Sequence, residues 1–347
     1  MTSMKQGVVL LNLGGPDSLQ SVKPFLYNLF SDREIIRLGP PFLQKPVAWL
    51  IASLRSKKTE AMYRQIGGKS PILEITKAQA EALEKALNEE SRVSFKLYIG
   101  MRYWHPFIMD TVKDIINDGV GHLTVLSMYP HYSKATTGSS VAEFKRTISR
   151  VKSIRSEIRA ELDSEGQEIE IQYIEQWHDF PPYIEALAEL ISQGLSEFSP
   201  PSTKGWQGGV EILYSAHSLP QSFIDEGDPY LDHIKSTIAT LNSLLLTRYS
   251  LRFKWHLSFQ SKTGPVKWLE PTTEETIIGL ANEGCKNLFV VPVSFVSDHI
   301  ETLYEIDILY EKLAKEHGIN LKRCRALNTS DKFILALKEL VMAKIGS

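Results

Sequence analysis

The stretch Val210-Glu211-Ile212-Leu213-Tyr214-Ser215-Ala216-His217-Ser218-Leu219-Pro220 decides the fold. Its first five residues are apolar or β-prone apart from Glu211, which reads as a short buried strand of the kind found inside a parallel sheet. Ser-Ala-His-Ser-Leu-Pro then breaks the pattern. Pro220 cannot stay in a central strand, so the strand has ended by that point. A histidine placed there lies at the carboxyl edge, where open α/β sheets bind ligands. On this stretch alone His217 reads equally well as a hydrogen-bonded residue of a turn or as a site residue.

Working outward, the first half of the chain opens in the same way. Gly7 to Leu13 (GVVLLNL) is an apolar run followed by Gly14-Gly15-Pro16-Asp17-Ser18. This predicts strand, tight turn and helix, with Asp17 and Ser18 as N-cap candidates and Ser21 to Phe30 helical. The turn carries neither G-x-G-x-x-G nor G-K-[ST], so nucleotide binding is not expected. The halves echo each other further on. Thr111 to Gly119 precedes an apolar strand at Leu123, and Thr276 to Gly284 precedes one at Leu288. The offset is constant, since 276 − 111, 283 − 118 and 288 − 123 all equal 165. Strands alternating with helices argue for parallel sheets. The repeat argues for an α/β protein of two similar domains with a cleft between them. The acidic segment Glu161 to Glu168 sets the boundary, giving domains over 1–160 and 169–327. The remainder, 328–347, contains a last helix at Asp331 to Ile345 that packs back on the first domain. Ser199 to Gly209 reads as a Pro/Gly/Ser loop.

Composition narrows the function classes. The chain has 347 residues, 43% hydrophobic and 23% charged, as expected for a globular protein with a full core. A net charge of −2 gives no bulk drive toward nucleic acid. Cys285 and Cys324 are the two cysteines. They permit no disulfide framework, suggest a reducing compartment, and cannot supply the four ligands of a typical iron–sulfur cluster. The polar start, Met1 to Gln6, lacks the features of a signal peptide, and no apolar run approaches the roughly 20 residues needed to span a bilayer. A cytoplasmic protein is expected. The segment 38–58 (LGPPFLQKPVAWLIASLRSKK) has two readings: a core helix after a proline turn, or an exposed apolar lip with Arg55, Lys57 and Lys58 as a basic flank, able to cover a greasy ligand or touch a membrane.

Several strand ends converge on the expected cleft. They carry Leu13, Tyr103, Tyr129 and His131 from the first half, and His217, Phe259 and Ser261 from the second. The last is Val290 to Glu305, in which Asp298 and His299 begin a helix and Glu301 and Glu305 lie one turn apart on one face. Carboxylates in a first helical turn are favoured by the helix dipole. His217 with Glu301 makes a borderline-to-hard donor set, suited to a divalent first-row metal held weakly, and short of a closed structural zinc site.

The wording of these motifs resembles the ferrochelatases. Ser215 to Pro220 does so, as do Asn12-Leu13-Gly14-Gly15-Pro16, Tyr63 to Pro71, Tyr129 to Ser140, Gln260 to Pro265 and Ser297 to Leu303. The motifs occur in the right order over nearly the whole chain. The resemblance implies two Rossmann-like domains and insertion of Fe²⁺ into protoporphyrin IX, the last step of protohaem synthesis. It implies that His217 accepts the pyrrole protons and that Glu301 is its acidic partner, with metal contact open to both. Glu305 continues the acidic row as a path for iron or protons, and Asp298 and His299 orient and polarise from behind. Tyr103, Trp268 and Phe295 would clamp the ring, with Arg102 beside Tyr103. Arg55, Tyr63 and Ser70 would meet the propionates, and Leu13 and Tyr129 would line the wall. The chain departs from some relatives in two places. Leu309 stands where an acid one turn beyond Glu305 would extend the row. Lys134 stands where cluster-bearing relatives have a cysteine, so no iron–sulfur cluster and no permanently bound cofactor are expected, iron being a substrate. Tyr129-Pro130 and Met101-Arg102-Tyr103 look like the protoporphyrin-using members. Peripheral membrane contact through 38–58 is a further expectation, and no nucleic-acid partner is. Two rivals stay open: a chelatase inserting Co²⁺ or Ni²⁺ into a more carboxylated tetrapyrrole, and a two-lobed protein that carries haem or metal without turnover.

Overall fold

The computed structural model describes residues 5–90, 93–161, 169–198, 209–264 and 266–346. The chain divides into two compact units, Met1–Gln176 with Ile334–Ser347, and Trp177–Phe333.

In the first unit four strands run parallel: β1 (Gln6–Asn12), β2 (Phe95–Met101), β3 (His122–Ser127) and β4 (Glu170–Ile174), in the spatial order β2-β1-β3-β4. Val8 to Leu11 are wholly buried, which is why β1 reads as a continuous apolar run instead of an alternating one. The helices are α1 (Val22–Ser31), α2 (Gln44–Gln65), α3 (Ile72–Glu90), α4 (Ile108–Asn117) and α5 (Ser139–Glu161). Val112 and Ile115 of α4 and Phe144 of α5 pack with Val9, Leu11 and Val125 of the sheet. β4 closes this sheet through β3, so the first unit reaches Gln176, past the acidic segment where the sequence places the boundary. Of that segment 162–168 lie outside the described residues, as do 199–208 of the Pro/Gly/Ser loop and Pro265. Helix α1 also starts later than the cap-like residues suggest. Its N-cap is Ser21, whose hydroxyl donates to Asp17 Oδ1, so Asp17 closes the turn and does not cap the helix.

The exposed-lip reading of 38–58 matches the observed surface. A 3₁₀ turn at Pro41–Leu43 leads into α2, which buries Gln44, Ala48, Ala52 and Ser56 at four-residue spacing. With small residues on the packed face, the large ones lie outside: Phe42 is 76% exposed, Leu54 74% and Trp49 57%. No helix among the described residues is long and apolar enough to cross a membrane.

The second unit repeats the plan. β5 (Val210–His217), β6 (Trp255–Gln260), β7 (Asn287–Pro292) and β8 (Asn320–Arg323) are parallel in the order β6-β5-β7-β8. The helices are α6 (Pro181–Ser196), α7 (Gln221–Asp225), α8 (Tyr230–Tyr249), α9 (Thr273–Asn282), α10 (Glu311–Glu316) and α11 (Asp331–Ile345), of which α11 belongs to the first unit from Ile334 on. Leu213, Leu288 and Val290 of the sheet pack with Ile277, Leu280 and Ile306. The element limits carry the sequence repeat, since 273 − 108 for α4 and α9 and 287 − 122 for β3 and β7 both equal 165. In each unit a π-helical stretch follows the third strand, at Lys134–Gly138 and at Glu301–Tyr310. The strand order reverses direction beside β5, so the carboxyl ends of β5 and β7 form the topological switch point at which open α/β sheets hold ligands.

Candidate active site

His217 is the last residue of β5. Its backbone is held in a closed ring of hydrogen bonds. The His217 N–H donates to Ser294 Oγ (3.1 Å), Ser294 Oγ lies 2.7 Å from Tyr230 Oη, and Tyr230 Oη donates to the His217 carbonyl (2.9 Å). Each hydroxyl has one proton, so Ser294 donates to Tyr230 and the ring runs one way. Tyr230 opens α8 and Ser294 follows β7, which ties the strand end to its neighbours on two sides.

The side chains ahead of this clamp form a row. His217 Nδ1 lies 3.4 Å from Glu301 Oε1, an ion-pair distance, and is itself buried without a hydrogen bond, while the side chain as a whole keeps 33% exposure. The accessible part of the ring is therefore its other edge. Glu301 Oε2 lies 2.7 Å from His299 Nε2, and His299 Nδ1 lies 3.0 Å from the Ser297 carbonyl. A carbonyl can only accept, so the ring faces it with an N–H at Nδ1 and turns Nε2 to Glu301. Phe295 leans on His299 at 4.1 Å and meets His217 edge-on at 6.2 Å between ring centres. Glu305 accepts from Ser261 Oγ (2.6 Å) and Gln260 Nε2 (3.2 Å), both on Oε2.

The three titrating groups of the row are pushed apart. Burial raises Glu301, but the imidazoles of His217 and His299 outweigh it and hold the carboxyl well below its usual range. Burial alone would lower His217, and the Glu301 carboxylate more than offsets this, leaving the imidazole raised. Burial, followed by the neighbouring Glu301 carboxylate, pushes Glu305 up to about 7 despite the bonds from Ser261 and Gln260. An ionised carboxylate, a basic imidazole and a carboxyl that changes state near neutrality can take up and pass on protons.

The other expected residues fall into distinct places. Asp298 is taken up elsewhere: Arg323 Nη1 (3.0 Å) and Thr302 Oγ1 (3.0 Å) reach its Oδ1, and Asn328 Nδ2 (2.8 Å) reaches Oδ2. Arg323 also grips Asp307 through two bonds, so β8 ties a residue before the π-helical stretch to one within it. Trp268 pairs with Pro220, in the segment just past His217, and its indole N–H is buried without a partner. In the first unit Arg102 Nη2 (2.7 Å), Tyr103 Oη (2.6 Å) and Ser139 Oγ (2.7 Å) all donate to Asp32 Oδ2, so Arg102 and the buried Tyr103 share one buried carboxylate. Ser70 packs against Gly15 so closely that a Cβ on Gly15 would meet its Oγ at 2.5 Å. Tyr63 is buried, Leu13 and Tyr129 are half-buried, and Arg55 is exposed with its guanidinium 5.5 Å from the Phe30 ring. Among the described residues no three His, Cys, Asp or Glu side chains cluster so as to cage a metal ion. Cys285 and Cys324 are both free and buried.

Sequence reading gave no role to Tyr230, Ser294, Gln260, Arg323 or Asp32. One signal was available for Gln260, which ends a strand motif next to Ser261. The others act through contacts made far along the chain.

A family model for ferrochelatase matches residues 5–345. The ferrochelatase of Geotalea daltonii is 49% identical over 345 residues, covering 99% of each chain, and that of Geotalea uraniireducens is 50% identical over 344 residues with the same coverage. The chain belongs to the ferrochelatase family. A ferrochelatase of Synechocystis is 46% identical over 342 residues, covering 98% of this chain and 82% of its own. As a family member this chain is an enzyme, a metal chelatase. Among solved structures, SirB from Bacillus subtilis with Fe³⁺ aligns over 98% of this chain and 96% of its own at a TM-score of 0.52 and 14% identity, a likeness of fold alone. The two parallel sheets are thus those of the chelatase fold.

Proposed function

We propose that this ferrochelatase inserts Fe²⁺ into protoporphyrin IX and releases protohaem, the closing step of haem biosynthesis. The observation that carries the reading is the row His217, Glu301 and Glu305, with His299 behind it, at the switch point of a chelatase fold. Charge balance sets the task. Fe²⁺ replaces two pyrrole protons, so a base must stand at the ring face and a route must carry the protons off. His217 accepts the protons, Glu301 holds the imidazolium that forms and meets the metal, and Glu305 passes protons or iron along the row. His299 orients Glu301, and Asp298 holds the loop that presents both. Phe295 and Trp268 supply flat surface to the ring. The porphyrin contacts implied by resemblance for Leu13, Arg55, Tyr63, Ser70, Arg102, Tyr103 and Tyr129 belong to the same proposal. Bending a pyrrole out of plane would expose its lone pair to the metal, a form of ground-state strain.

The reading includes an enzyme that works without a resident cofactor, iron being its substrate. It also includes a cytoplasmic protein with peripheral membrane contact through Phe42, Trp49, Leu50 and Leu54, whose exposure supports such contact. The test is anaerobic turnover, following the loss of porphyrin fluorescence with Fe²⁺ and either protoporphyrin IX or coproporphyrin III. Catalytic loss with protoporphyrin is expected. Preference for coproporphyrin would move the substrate, and stoichiometric binding without turnover on either would overturn the reaction.

A further inference from the structure

Gln260 ends β6 and lies directly across the ladder from His217. It is buried, and its amide has one possible orientation. Its Nε2 donates to the Glu301 carbonyl (3.0 Å) and to Glu305 Oε2 (3.2 Å). Because a carbonyl only accepts, the nitrogen must face that side. On the other side Oε1 accepts from Ser215 Oγ at 2.6 Å. That commits the single hydrogen of Ser215, so Ser215 must accept from Thr273 Oγ1 (2.9 Å), and Thr273 must accept from Ser258 Oγ (2.9 Å). The chain Ser258, Thr273, Ser215, Gln260, Glu305 therefore donates in one direction, toward the acid. Ser215, Thr273 and Ser258 have no solvent exposure. Ser215 and Ser258 are register partners on β5 and β6, and Thr273 opens α9 behind the capping box of Thr272 and Glu275. Ser261 holds φ at +67°, in the left-handed region, and its hydroxyl reaches the same oxygen of Glu305 as Gln260 does.

We propose that Gln260 is a positioning residue for the Glu301–Glu305 pair, and that the buried hydroxyls of Ser215, Thr273 and Ser258 act through it by locking its amide with both N–H bonds toward the acids. A flipped amide would turn its oxygen on the Glu301 carbonyl and the Glu305 carboxylate and drive the two apart. The inference rests on the reading of Glu301 and Glu305 as the acids that meet the metal. Its signature is a loss in metal affinity caused by residues that touch neither acid.

The test measures kcat and the KM values for Fe²⁺ and for whichever porphyrin the wild type turns over, with direct Co²⁺ titration by calorimetry alongside. Ser215→Ala should raise the metal KM and the Co²⁺ Kd about tenfold, the size of one lost buried hydrogen bond, at unchanged porphyrin KM. Gln260→Glu should raise them at least as far, and Ser215→Ala with Gln260→Glu should be no worse than Gln260→Glu alone, because the relay acts only through Gln260. Gln260→Leu removes both N–H bonds at similar volume and must show the same split if Ser215→Ala does not fold. A folded Ser215→Ala with metal constants within about twofold of wild type overturns the inference, as does full additivity in the double variant. Loss of kcat with both KM values unchanged does so too. A wild type that inserts metal into no porphyrin overturns the functional reading instead.

Discussion

Replacing Glu305 with Gln should stabilise the protein and do so only above mildly acid pH. Glu305 is pushed from the ordinary 4.5 up to about 7, first by burial and then by the Glu301 carboxylate. A raised carboxyl is a cost to the folded state once it ionises. Well below pH 4.5 both folded and unfolded chains hold the proton and the cost is absent. As pH rises the unfolded chain ionises first, and the cost is complete once the folded group has ionised, above about pH 7. Linkage puts its full size at about 3 kcal/mol, and at less than about 1 kcal/mol by pH 5. Glutamine matches the shape, and both donors to Glu305, Ser261 and Gln260, reach one oxygen, which an amide oxygen can replace. Urea unfolding of Glu305→Gln against wild type at pH 8 and pH 5 checks this. A gain of about 2–3 kcal/mol at pH 8 that largely vanishes at pH 5 is expected, together with slower metal insertion, as when a strained site trades stability for activity. A variant no more stable than wild type at pH 8, or one with the same advantage at both pH values, refutes the reasoning.

His217→Ala should lower metal insertion by at least about a hundredfold, the usual worth of a positioned base, while circular dichroism stays native; near-normal turnover in the folded variant would remove His217 from the mechanism. Tyr230→Phe opens the ring that holds His217 and leaves a buried carbonyl and hydroxyl short of a partner, so about 1–3 kcal/mol of unfolding free energy should be lost along with kcat. Unchanged urea midpoints would show that the clamp contributes nothing. Trp49→Ser with Leu50→Ser should weaken co-sedimentation with anionic liposomes, and equal partitioning would leave the exposed face of α2 without that role.

The parallel sheets were legible because their strands are buried on both faces, so Val8 to Leu11 and Leu288 to Val291 show as unbroken apolar runs. The 165-residue repeat was legible because no length change intervenes between α4 and β3 or between α9 and β7. Register was not, and with it went the pairing of His217 with Gln260, since a ladder is set by which strands meet and not by either strand alone. Strand β8 escaped because Asn320-Leu321-Lys322-Arg323 holds one apolar residue, too few for any period. The acidic segment misled on the boundary, because loop composition reports exposure and not the sheet that the next strand joins. The sequence pattern places Glu301 and Glu305 on a helix starting at Asp298. Two turns of sequence cannot separate a period of 3.6 from a wider one, and the π-helix begins only at Glu301. What holds Asp298 out of it is Asn328, thirty residues on in the chain, together with Arg323.

The repeat also separates the scaffold from the proposed site. Asn12 ends β1 as His217 ends β5, and Met101 stands across from Asn12 as Gln260 stands across from His217. Asn12 is buried and its amide is spent locally, donating to Thr76 Oγ1 at 3.2 Å and accepting from the Leu13 N–H at 2.8 Å. The π-helical stretch recurs as well: Lys134–Gly138 in the first unit carries Thr136 and Thr137, and Glu301–Tyr310 in the second carries Glu301 and Glu305. The widened turn after the third strand is therefore a property of the scaffold, since it forms with hydroxyl residues as readily as with acids. The His217 imidazole, the Glu301 and Glu305 carboxylates and an amide turned toward them, that of Gln260, stand together in the second unit. Likeness of fold speaks for the scaffold, and the reaction has to be argued from those four side chains.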